Sequence, residues 1–167
     1  MRFVPQKEGN HMQYICPVCG EPLYKKINSL VCPNRHSFDI ARQGYVNLLT
    51  VQQKHSLDPG DTRQQVLARR EFLEAGYYAP ISDALNHAAL RCHAQGEILD
   101  IGCGEGYYTA GLYQALTQAG CAPQIAGVDI SKFALRRAAK RLPQGEFAVA
   151  SVYHLPLADE SVDTMRA

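Results

Sequence analysis

Glu97-Ile-Leu-Asp-Ile-Gly102-Cys-Gly104-Glu-Gly106-Tyr-Tyr-Thr109 decides the fold. The apolar run 97–101 reads as a buried strand. Three alternating glycines end it, and Leu112, Ala115, Leu116 and Ala119 then follow at helical spacing. About twenty residues on, Gln124-Ile-Ala-Gly-Val-Asp129 reads as a second strand that ends in an acid. Ser131 is placed to cap a helix over about 132–141, and Glu146-Phe-Ala-Val-Ala150 makes a third strand. Strands alternating with helices at this spacing form a doubly wound parallel sheet. The expected class is α/β, with the first half of a Rossmann-like domain, three to four strands, over 95–167.

The turn also constrains its ligand. A dinucleotide fingerprint would put glycine at 107, where the chain has Tyr107. Its glycines fall instead at 102, 104 and 106, with Asp100 two residues before the first. An acid in the turn suits a cationic ligand and repels a pyrophosphate approaching the helix N-terminus. S-adenosylmethionine carries a sulfonium and an ammonium and no phosphate. Glycines let the backbone approach such a ligand closely, and Asp129 is placed to accept from both ribose hydroxyls. The candidate cofactor-binding residues from this reading are Asp100, Gly102, Gly104, Gly106 and Asp129.

Toward the N-terminus, Cys16-Pro-Val-Cys19 is followed after twelve residues by Cys32 and after three more by His36. Three thiolates and one imidazole close a tetrahedral zinc site with no open position, so the metal should be structural. It would stabilise a segment too short to build its own core. A disulfide staple fits poorly with a chain showing no secretory signal, and a redox Cys-x-x-Cys would leave Cys32 and His36 unused. Cys92, Cys103 and Cys121 lack partner spacing and are expected to be small buried hydrophobes.

The 167 residues are 46% apolar and 20% charged, a globular composition that excludes collagen, coiled coil and a disordered tail. No apolar run reaches membrane-spanning length, which suggests a cytoplasmic chain with no membrane partner. Seven Lys/Arg against three acids give residues 1–54 a charge of +4, while six against eight give residues 96–167 a charge of −2. A basic front module beside an acidic body suits a nucleic-acid partner without establishing one. Between them, Gly44–Leu49 reads as a short strand and Gln52–Asp61 as a linker. Asp61 or Thr62 should cap a helix running to about Ala75, with Gly76 past its end. A second helix is expected from about Pro80 to Cys92, with Ile81, Ala84, Leu85, Ala88, Ala89 and Cys92 forming its core face. Arg69 and Arg70 read as solvated helix charges.

Taken together, these motifs resemble the bacterial 23S ribosomal RNA (guanine-N1)-methyltransferases, most closely the gamma-proteobacterial branch. The resemblance runs from Met12 to Ala167. It rests on Cys-Pro-x-Cys at 16–19, Cys-Pro-x-x-His at 32–36, Gly-Tyr-Val-Asn-Leu-Leu at 44–49 and Asp-Pro-Gly-Asp at 58–61. It continues through Ala-Arg-Arg-x-Phe-Leu-x-x-Gly at 68–76 and the glycine turn at 99–109. The resemblance implies a zinc module (12–50), a linker with helices (51–94) and a methyltransferase domain beginning at 95. It implies zinc ligands at Cys16, Cys19, Cys32 and His36 and cofactor contacts at Gly104, Glu105 and Tyr78. It also implies a guanine target in a hairpin loop of 23S rRNA domain II, with a homodimer as an open alternative. Residues 1–11 are expected to be an added leader. The chain is expected to stop where strand four begins, leaving strand one with an unpaired edge and the catalytic base beyond Ala167. His154 reads as a surface loop residue. The rival readings are an inactive remnant that binds RNA through its zinc module, and a small-molecule methyltransferase.

Overall fold

The computed structural model describes residues 12–54, 59–92 and 96–167, so the expected leader 1–11, Asp58 of the predicted turn and residues 93–95 lie outside the described residues. Three short strands, β1 (Tyr24–Lys26), β2 (Ser29–Val31) and β3 (Ser37–Asp39), form an antiparallel ribbon. Next come β4 (Tyr45–Asn47), α1 (Arg63–Glu74), α2 (Ala79–Arg91), β5 (Glu97–Ile101) and α3 (Tyr107–Gln118). The chain continues through β6 (Gln124–Asp129), α4 (Lys132–Arg141), β7 (Glu146–Val149) and β8 (Thr164–Arg166).

The second sheet has the order β4-β7-β6-β5-β8, with every pairing parallel. Its last four strands follow the 3-2-1-4 order of a doubly wound half. Two features depart from the sequence reading. The front segment contributes a fifth strand, β4, alongside β7. At the other side, β8 pairs with β5 in the register Ile98↔Thr164 to Asp100↔Arg166, so the strand expected to be bare is covered.

Period-2 alternation sends neighbouring residues into different cores. Ile98, Ile125, Phe147 and Val149 face α3 and α4, where Leu112, Leu116, Leu135 and Ala138 meet them. Leu99, Ala126, Val128, Ala148 and Ala150 face the opposite way and pack with Leu30 and Cys32 of the ribbon and with Met12, Tyr14 and Cys16 of the segment before it. That segment is also tied down by backbone: Ile15 N–H donates to the Pro156 carbonyl at 2.9 Å.

Thr62 caps α1 as expected, accepting from Gln65 N–H while the Gln65 side chain accepts from Thr62 N–H at 2.8 Å. Gly76 follows with φ +85°. For α2 the helix is correct and its predicted face holds only at the C-terminal half, where Ala88 and Ala89 are half-buried and Ala89 packs on the core. Ile81 and Leu85 are 48% and 41% exposed, and Cys92 is exposed, whereas Ser82 and Asn86 are buried. The reason is Gly111 of α3, where a Cβ would lie 3.1 Å from Ser82 Oγ. A glycine at the crossing admits small polar side chains and lets the helices approach, turning Ile81 and Leu85 outward. Among the other two cysteines outside the cluster, Cys103 is buried as expected and Cys121 half-buried. Among the described residues, no helix is long and apolar enough to cross a membrane.

Candidate functional site

The four front-module residues converge. The Sγ and ring-nitrogen atoms of Cys16, Cys19, Cys32 and His36 all lie within 4.8 Å of one another. Cys19 Sγ is 3.7 Å from Cys32 Sγ, and His36 Nδ1 is 3.5 Å and 3.4 Å from the sulfurs of Cys16 and Cys32. A zinc tetrahedron with Zn–S near 2.3 Å has edges of about 3.5–3.8 Å, so both donor set and spacing fit that ion. Local backbone builds the knuckles: Gly20 N–H closes on the Cys16 carbonyl at 2.8 Å, and Arg35 N–H on the Cys32 carbonyl at 2.9 Å.

The glycine turn sits at the carboxyl ends of β5 and β6, beside the point where strand order reverses between β5 and β8. Such a switch point is where open α/β sheets bind ligands. Gly102 and Cys103 N–H both donate to the Val128 carbonyl, which anchors the turn on β6. Gly102 (φ +70°) and Gly104 (φ +54°) hold backbone that L side chains rarely adopt, and a Cβ on either would meet nothing within 4 Å. These two glycines therefore leave space for a ligand. Gly106 has a different purpose: a Cβ there would lie 3.0 Å from the Ala138 backbone, so it permits α3 to dock on α4.

A cavity of about 350 Å³ opens against Gly102–Glu105, Tyr78 and Tyr108. Asp129 is tied to the same turn. Its two carboxylate oxygens accept from Gly104 N–H at 2.9 Å and Ser131 N–H at 2.7 Å. Burial raises its pKa above the usual carboxylate value. Each oxygen keeps a free lone-pair site for a hydroxyl donor. Glu105 is 3% exposed; its Oε1 accepts from Arg141 at 2.9 Å while its Oε2 has no partner among the described residues. Burial raises its pKa too. Tyr78, at the start of α2, is 39% exposed and meets Phe72 edge-on at 5.3 Å.

Asp100 does not line this cavity. It is buried, accepts from Thr109 Oγ1 and forms a two-pronged ion pair with Arg166. These contacts tie β5, α3 and β8 together. Sequence reasoning missed Asp100's partner, 66 residues away, and Glu105's partner Arg141, since nothing local marks either pair. The expected linker is also more than a tether. Gly60 (φ +87°) presses on Ser131, and Ser131 Oγ donates to the Asp61 carbonyl at 2.9 Å.

Comparisons with known proteins match these two regions. Residues 14–57 fit the model described as "RlmA, N-terminal", a zinc ribbon, and residues 98–167 fit "Methyltransferase domain". A protein of Micromonospora griseorubida, provisionally named a 23S rRNA (guanine-N(1)-)-methyltransferase, is 44% identical over 88% of this chain and 54% of its own length. The 23S rRNA (guanine(748)-N(1))-methyltransferase of Streptomyces fradiae is 39% identical over 90% of this chain and 53% of its own length. The chain thus spans about half the length of the curated relatives it matches. A solved structure from Methanococcus maripaludis, provisionally described as an S-adenosyl-L-methionine-dependent methyltransferase, superposes with a TM-score of 0.55 at 18% identity. It covers 67% of this chain and 52% of that one, a likeness of fold. One chain thus carries a segment similar to an RlmA-type zinc ribbon and a segment similar to a methyltransferase domain, and its curated relatives are named as methyltransferases.

Proposed function

We propose that this chain is the cofactor-holding part of a 23S ribosomal RNA methyltransferase. It would take a methyl group from S-adenosylmethionine to N1 of a hairpin-loop guanine in domain II, in the cytoplasm. The observation that carries the reading is the glycine-floored cavity, lined by Glu105 and joined to Asp129 through the Gly104 N–H. The S. fradiae relative is named for guanine-N1 methylation of 23S rRNA, which suggests the substrate.

In this reading Gly102 and Gly104 keep the cavity floor bare, and Asp129 accepts from the ribose hydroxyls. Glu105 accepts a hydrogen bond through Oε2, held in place by Arg141, and Tyr78 walls the cavity. Gly106 and Asp100 support the turn without contacting the ligand. S-adenosylmethionine supplies a methyl already activated by positive sulfur, so the protein's task is alignment of the two reactants. Guanine N1 faces its Watson–Crick partner, so the base must come from an unpaired loop or be swung out. N1 also carries a proton, which requires a base. No imidazole lines the cavity among the described residues, and His154 is exposed in a turn with Ser151. Zinc held by Cys16, Cys19, Cys32 and His36 would be structural, since all four tetrahedral positions are taken by protein.

The test is calorimetric titration with S-adenosylhomocysteine, followed by incubation of the chain with S-adenosylmethionine and a 23S hairpin. Saturable one-to-one binding and a new reverse-transcription stop at a loop guanine are expected, because a methyl at N1 blocks base pairing. No binding heat overturns the cofactor reading. Methylation of a small molecule without RNA favours the small-molecule rival.

A further inference from the structure

The summed charge of residues 96–167 hides a local concentration. Five of their six cations, Lys132, Arg136, Arg137, Lys140 and Arg141, lie on α4, which carries no acid. The apolar side of α4, Ala134, Leu135, Ala138 and Ala139, is buried against the sheet, so the cations are displayed together on the outer side. Packing brings α1 alongside and adds Arg70. The two helices enclose a groove of about 310 Å³ lined by Arg70, Glu74, Glu105, Arg137, Lys140 and Arg141.

Glu74 and Glu105 are already engaged: Glu74 by Arg70 at 2.7 Å and Arg141 at 3.1 Å, Glu105 by Arg141 at 2.9 Å. Arg137 and Lys140 have no carboxylate within 4.0 Å among the described residues. Arg137 still feels the Glu105 carboxylate at longer range, and the groove's four cations exceed its two acids. Glu105 lines this groove and the cofactor cavity alike, so the two openings adjoin.

Phe72, in the last turn of α1 and between Arg70 and Glu74 in sequence, forms an aromatic pair facing solvent with Tyr77 just past the helix. Phe72 and Tyr77 are 46% and 70% exposed and stack with centroids 5.2 Å apart at 28°. Phe72 also lines the cofactor cavity. Positive charge for phosphates beside exposed ring faces for bases is how proteins hold single-stranded nucleic acid.

We propose that the α1–α4 groove is a track for unpaired RNA, with phosphates on Arg137 and Lys140 and a base stacked on the Phe72–Tyr77 pair. The proposal rests on the RNA-methyltransferase reading and deepens it. It places an RNA contact on the methyltransferase body, in addition to the one suggested by the front module's charge. A track adjoining the cavity at Glu105 would deliver a loop nucleotide to the ligand's door.

The experiment uses the full chain and a fluorescent, mixed-sequence RNA of about a dozen nucleotides, single-stranded or as a duplex, across a salt series. Wild type should prefer the single strand. Arg137→Ser/Lys140→Ser should weaken binding at least tenfold and lower the log–log salt slope by about 1.4, for two lost phosphate contacts on a single strand. Tyr77→Ser should weaken binding several-fold with an unchanged slope, and neither variant should alter S-adenosylhomocysteine binding. An unchanged slope in the double variant, with wild type bound, overturns the groove. Equal binding by the Tyr77 variant, or a preference for duplex, overturns the stacking. If wild type binds no RNA at low salt, groove and RNA-methyltransferase reading fail together. RNA binding without cofactor binding sinks the methyltransferase reading alone.

Discussion

The two faces of the parallel sheet are built from different materials. One face is covered by helices: Ile98, Phe147 and Val149 meet large aliphatic residues from α3 and α4. The other face mixes Leu99 and Val128 with the small residues Ala126, Ala148 and Ala150, and is covered by the cysteine-bearing front segment. Helices supply their own backbone hydrogen bonds and need only an apolar stripe to dock. A ribbon of three-residue strands cannot hold its shape that way and needs a metal-sized staple. The lesson is that the ribbon is no appended knob. Cys16 and Cys32, two of the four metal-site residues, are themselves part of the second core.

This comparison breaks most visibly if the metal site is removed. Structural zinc contributes about 10–16 kcal/mol of apparent folding energy in isolated fingers. Cys16→Ala or chelation should therefore abolish metal content by elemental analysis and lower the melting temperature of the whole chain in one transition. Two separate transitions, with the sheet's unchanged, would show that the ribbon and sheet are independent.

A finer test uses neighbours on one strand. Ile98 and Leu99 are both 0% exposed, yet they point into opposite cores. Each change to Ala should cost about 2–5 kcal/mol in the metal-loaded chain by urea denaturation. After chelation the Leu99→Ala cost should shrink while the Ile98→Ala cost persists. Equal costs in both states would contradict the division of labour.

On the site itself, Asp129→Asn should weaken S-adenosylhomocysteine binding by about tenfold or more by calorimetry, since hydrogen bonds to charged groups contribute about 1.5–3 kcal/mol. The pH dependence has a fixed sign. Burial raises the Asp129 and Glu105 pKa values, so both carboxylates take up protons at a higher pH than ordinary acids. Their capacity to accept hydrogen bonds is complete above the raised pKa and is lost as pH falls through it. Affinity should thus decline on acidification before surface carboxylates titrate, and a flat profile down to the ordinary carboxylate range would remove the acids from the site. The smallest effect belongs to α2: Leu85→Ser should shift stability by less than about 0.5 kcal/mol, as surface changes do. A loss of several kcal/mol would restore the apolar stripe to the core.

Local chemistry made much of this legible in advance. The glycines at 102, 104 and 106, the strand-ending Asp129 and the caps at Thr62 and Ser131 depend on backbone demands within a few residues, which a linear reading can see. The metal cluster was equally readable, because its four donors announce themselves by type and spacing. What the sequence concealed depends on elements far apart in the chain meeting in space. Asp100 was legible as the acid before the turn, but its ion-pair partner Arg166 on β8 was not. The α2 stripe had the right period, but Gly111 of another helix chose the buried face. The strand at Tyr45–Asn47 was visible as a strand, yet only the sheet decided that it would lie beside β7. A net charge of −2 gave no hint of the cation face on α4, because sums over sequence erase what packing segregates. Patterns of one to four residues are fixed by covalent geometry and propensity. Partners, faces and charge fields are fixed by burial, which sequence alone does not assign.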